Sequence, residues 1–77
     1  MKYYFTFGSN ETQPFMGGWT VVHADSWEEA VNKFCEVHPK TADGFINCAF
    51  MYDENEFKRT KMYTSGNCGK FEQEVIV

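Results

Sequence analysis

Apolar and polar positions alternate along this chain in two different rhythms, and the rhythm marks the elements. Tyr3, Phe5 and Phe7 share one parity and Tyr4 and Thr6 the other, a β-former run apolar on both sides that suits the middle of a sheet. Gly8-Ser9-Asn10 breaks it, and a long connection from Gly8 to Gly18, carrying Pro14 and closing on Gly17-Gly18, leads into a second strand, Trp19 to Ala24, expected antiparallel to the first. The period then changes to 3.6: Trp27, Ala30, Val31, Phe34, Cys35 and His38 form one stripe, with Glu28, Glu29, Asn32, Lys33 and Glu36 facing away. Ser26 and Glu29 stand at capping-box spacing before this helix, Glu29 and Lys33 are an i,i+4 pair, and Pro39 ends it.

Past a turn at Lys40 to Gly44, the segment Phe45 to Tyr52 reads as a third strand, whose more apolar face (Ile46, Cys48, Phe50, Tyr52) should meet the helix. Asp53 is placed to cap a short second helix through about Lys61, in which acids precede bases as the helix dipole favours. Thr64 to Gly69 reads as a turn, and Phe71 to Val77 as a last strand with Phe71, Val75 and Val77 in phase. The expected architecture is α+β in the order ββαβαβ, a three- to four-stranded antiparallel sheet packed on one main helix. All of it forms a single domain, residues 1–77.

Composition sharpens this picture. With 77 residues the chain buries only about 60% of its unfolded surface, and it contains no leucine. Eight Phe, four Tyr and two Trp supply the core instead, so most aromatic side chains must be committed to the fold and an exposed one carries information. A net charge of −4 without charge runs disfavours nucleic acid, and single-stranded nucleic-acid binding through Lys58, Arg59 and Lys61 beside Tyr63 stands as a lower alternative function. The strand-like start after Met1, the absence of a long apolar stretch, and an odd number of cysteines together lead to the expectation of a cytoplasmic protein outside the membrane.

Candidate chemistry is sparse. Cys35, Cys48 and Cys68 lack the paired spacing of a zinc site, the Gly17-Gly18 pair lacks the lysine and context of a phosphate loop, and no acid–base pair is indicated, so no metal, cofactor, catalytic residue or small-molecule ligand is assigned. Cys68, in the Gly-flanked run Gly66-Asn67-Cys68-Gly69, supports an alternative reading as a thiol-dependent enzyme or redox protein, against its simpler role as a turn residue. Phe15 and Met16 are large apolar residues in a loop that a mere connector would not need. They either fold over the core or, with Trp19 and Tyr63, bind a partner. The sheet face away from the main helix is a second candidate surface, if the second helix leaves it bare.

The segments Tyr3-Tyr4-Phe5-Thr6-Phe7-Gly8, Gly18-Trp19, Ala24-Asp25-Ser26 with Glu28-Glu29-Ala30, and Asn47-Cys48-Ala49-Phe50 with Tyr52 resemble short proteins encoded by phages, prophages and mobile elements of anaerobic bacteria. That resemblance carries no activity. It implies a setting in which small proteins act by binding a protein of the host. The function expected from the sequence is therefore a protein–protein interaction module that binds a partner or itself.

Overall fold

The computed structural model describes residues 1–9, 11–13 and 15–77. Asn10 and Pro14, both read above as loop-forming residues, lie outside the described residues. The elements are β1 (Lys2–Thr6), β2 (Trp19–His23), α1 (Trp27–Val37), β3 (Phe50–Asp53), α2 (Glu54–Lys58), α3 (Lys61–Ser65) and β4 (Glu72–Ile76). They build an α+β fold around one four-stranded sheet of order β3-β1-β2-β4. No described helix is long and apolar enough to cross a membrane.

β1 occupies the interior because it is apolar on both faces. It pairs antiparallel with β2, Tyr3 opposite Val22 and Phe5 opposite Thr20, and antiparallel with β3 on its other side, Tyr4 opposite Tyr52. The expected all-antiparallel sheet is corrected at its far edge: β4 runs parallel to β2, with a register shift between Trp19 and Thr20, and the sheet is mixed. After β3 the chain crosses the sheet through α2 and α3, which brings β4 in alongside β2 with the same direction.

Each sheet face has its own core. On one, Tyr3, Phe5, Phe7, Val22 and Ala24 pack beneath Ala30 and Phe34 of α1, with the rings of Phe5 and Phe34 stacked 4.2 Å apart. On the other, Tyr4, Trp19 and Val21 pack beneath Phe57 of α2, with Tyr4 and Phe57 stacked at 4.1 Å. The second helix thus covers the middle of the face that the sequence left open. α1 begins as its signals require: the Ser26 hydroxyl accepts from the Glu29 backbone N–H at 3.1 Å, and Lys33 meets Glu29 at 3.2 Å.

Three local expectations are corrected. The second helix is broken: Thr60 is extended and its hydroxyl donates to the Phe57 carbonyl at 2.7 Å, so that a new helix, α3, starts at Lys61 and takes in Thr64 and Ser65, which read as a turn. The third strand is shorter than Phe45 to Tyr52. Cys48 N–H bonds back to the Ile46 carbonyl at 2.8 Å, and this kink leaves Ile46 and Cys48 packed on the α1 side while Tyr52 packs on the α2 side. The last strand has the opposite phase: Ile76 joins the α1 core, whereas Phe71, Val75 and Val77 are exposed.

Glu74 shares the inward side of β4 with Ile76, and its carboxylate explains how a polar residue sits there. Oε1 accepts from the Thr20 hydroxyl at 2.8 Å and from His38 Nε2 at 2.7 Å. Thr20 is fully buried and His38 is stacked on Phe34 at 4.7 Å, so among the described residues both side chains are answered by this one oxygen. Gly18 lies where β4 passes closest: a Cβ there would come within 2.8 Å of the Phe71 carbonyl oxygen.

Glu74→Ala is expected to cost about 1–3 kcal/mol, because it strands two buried donors. Urea denaturation checks this, with Lys58→Ala, which removes an exposed pair, as the variant of smaller effect.

Candidate functional site

The residues singled out from the sequence do not converge. Phe15 folds onto the α1 core, its ring edge-on to Phe7 and to His38 at 5.8 Å each, so it serves as cover; Met16 beside it is half-buried. Trp19 is 4% exposed on the opposite sheet face, wedged against Phe57 at 4.8 Å and Phe71 at 5.9 Å, and offers no ring to a partner. Tyr63 is exposed on α3, with its ring 6.3 Å from Phe57. The sheet separates Phe15 from Trp19, so no one surface unites the four.

The basic patch is already partly neutralised. Lys58 is held by Glu54 at 3.1 Å, a hydrogen bond that raises the lysine pKa and lowers that of the carboxylate. Its charge is therefore already answered within α2.

A different surface stands out at the other end of the sheet. Phe45 is 69% and Phe50 66% exposed, the two most exposed rings among the described residues, and Met51 next to them is exposed as well. They line an open groove of about 780 Å³ with Lys40, Gly44, Ile46, Cys48 and Ala49. Along this groove runs β3, an edge strand whose outer side has no strand partner among the described residues. Phe50 continues the aromatic row of the α2 face, its ring 6.4 Å from Tyr52, whereas Ile46 and Cys48 at the groove floor belong to the α1 core.

The sequence pattern places these residues in a strand core. The signal against that placement lies in their spacing. Phe45 and Phe50 are five positions apart, so a strand sends them to opposite faces, and one main helix cannot cover both. What the sequence does not show is that this strand ends at an edge.

The thiols are distributed without a catalytic arrangement. Cys35 and Cys48 are half-buried; burial first, and the neighbouring Cys35 second, push the Cys48 thiol up to about 11. Cys68 is exposed in a left-handed conformation (φ 53°) in the turn closed by Asn67 and Lys70, and its Sγ lies 3.8 Å from the Asn67 amide oxygen. Among the described residues no three His, Cys, Asp or Glu side chains are grouped to hold a metal ion.

A disulfide reagent at neutral pH should therefore modify Cys68 first and Cys48 last, with Cys48 gaining reactivity only as the pH approaches about 11. Peptide mapping of the labelled protein over time reads the order, and early labelling at Cys48 would contradict the burial seen here. Compared with known proteins, the chain matches no family model, no curated protein and no solved structure, so its fold and surface chemistry are what speak to its role.

Proposed function

We propose that this chain is a small protein-binding module that docks its partner on the β3 edge and the groove beside it. The observation that carries the proposal is the exposure of Phe45 and Phe50 around that groove, in a chain whose other phenylalanines, Phe71 apart, are buried or half-buried. Clustered exposed apolar side chains mark interaction sites, and an unpaired strand edge is a template for an extended segment of another chain. Main-chain hydrogen bonds along β3 would supply affinity, and the two rings would select apolar side chains on the incoming strand. The expected resemblance to phage- and mobile-element-encoded proteins makes a bacterial host protein one occupant to test for beside a second copy of the chain.

Capture from host lysate on the immobilised chain, followed by mass spectrometry, tests the proposal. Phe50→Ser should reduce the captured partner at least about tenfold, the effect of losing an interface anchor. Because Phe50 is exposed, the variant should keep the wild-type circular dichroism spectrum. Met16→Ser should bind as wild type; loss of binding in Met16→Ser but not in Phe50→Ser would move the docking site to the Gly8–Gly18 loop.

A further inference from the structure

We infer that the occupant of the β3 edge is the same edge of a second copy of this chain, the two strands pairing antiparallel about a twofold axis so that two four-stranded sheets join into one. The inference rests on reading this face as a docking surface and adds what docks there.

The two edges of the sheet differ in chemistry. β4 carries Glu72 and Glu74 in a strand of five residues, a pattern that sets like charges near one another when the edge meets a copy of itself. β3 reads Phe50-Met51-Tyr52-Asp53, with three uncharged residues and none of the lysines or prolines that protect an edge from pairing.

Symmetry and the pleat then restrict the register. Residues directly opposite in an antiparallel pair point to the same face, so a twofold axis normal to the sheet sets a residue opposite itself. With the axis at Met51, Phe50 faces the second copy's Tyr52, and the same aromatic pair repeats across the axis. An axis at Tyr52 would instead set Phe50 opposite the second copy's Glu54 and Asp53 opposite Met51.

Charge agrees with the Met51 register. That register brings the second copy's Asp53 opposite Ala49, a residue of the groove wall. Lys40 is the one charged residue lining the groove, and it has no ion pair among the described residues. Asp53 uses Oδ1 to cap α2. Its other oxygen supplies the counter-charge that the Lys40 side of the groove lacks, twice over in a symmetric pair.

Sedimentation equilibrium at moderate salt, from about 10 to about 500 µM, tests this. The expected result is a concentration-dependent shift from the 9.0 kDa monomer to twice that mass. Phe50→Lys and Met51→Lys should each weaken the dimer at least about tenfold while keeping the wild-type circular dichroism spectrum, and Val75→Lys, on the opposite edge, should leave it unchanged. In a Cys68→Ser background, Met51→Cys should cross-link to itself on oxidation. A monomer at every concentration, or a dimer lost in Val75→Lys and kept in Phe50→Lys, would overturn the inference. If the chain stays monomeric while lysate capture still depends on Phe50, the second copy is excluded as occupant and the docking surface stands; if both assays are indifferent to Phe50, the docking surface falls as well.

Discussion

Stacking of rings on both sides of the central strand is the contact from which the remaining structure follows. Phe5 lies on Phe34 and Tyr4 on Phe57, so consecutive residues of β1 are each sealed by a different helix. A strand of this kind is stable only if both faces are covered, because each ring left in water forfeits a large part of the burial that a leucine-free chain depends on. α1 covers one face and α2 the other, and the position of each is set by the ring it presents. Burial also raises the pKa of the Tyr4 phenol, first through loss of solvent and then through the nearby Glu54 carboxylate.

The same constraint determines the edges. With β1 flanked by β2 and β3, the last strand can join only at an outer edge, and it takes the one beside β2, entering parallel after α3. Its inward Glu74 is accommodated by the Thr20 hydroxyl and the His38 ring, which in turn sits among Phe7, Phe15 and Phe34. A polar contact therefore ties the β4 edge to the aromatic core. β3, at the other edge, has no such tie on its outer side among the described residues, and Phe45, Phe50 and Met51 beside it are apolar and exposed. α1 and α2 cover the two faces of the sheet over β1 and β2, and among the described residues the exposed apolar surface collects at the β3 end.

Local signals and long-range consequences separate cleanly along the sequence. α1 was legible because everything that defines it lies within the fourteen residues from Ser26 to Pro39: Ser26 at the cap, the stripe through Ala30 and Phe34, and Pro39 after the end. Gly17 was legible as a turn, and it takes a φ of 80° before the chain enters β2. The run from Phe45 to Tyr52 was not, because a stretch apolar on both faces apart from Asn47 has no period that reveals a kink at Cys48. Nor was the phase of β4: hydrophobicity favours Phe71, Val75 and Val77 as the buried row, and only the Thr20 hydroxyl and His38, the C-cap residue of α1, make Glu74 the better inward residue. The candidate site suffered most. Phe15, Met16, Trp19 and Tyr63 were chosen as aromatic or apolar residues next to turns, yet Trp19 is among the most buried, and the exposed pair Phe45 and Phe50 sat inside an apparent core strand.

The sequence by itself determined the α+β class, the central place of β1, its antiparallel pairing with β2, and the extent of α1, since each depends on spacing and capping within one or two neighbouring segments. The tertiary structure alone decided which strands became edges, which way β4 ran, and which rings stayed in water. Those outcomes depend on contacts between residues far apart in the chain, such as His38 with Glu74 and Tyr4 with Phe57, and no local pattern encodes them.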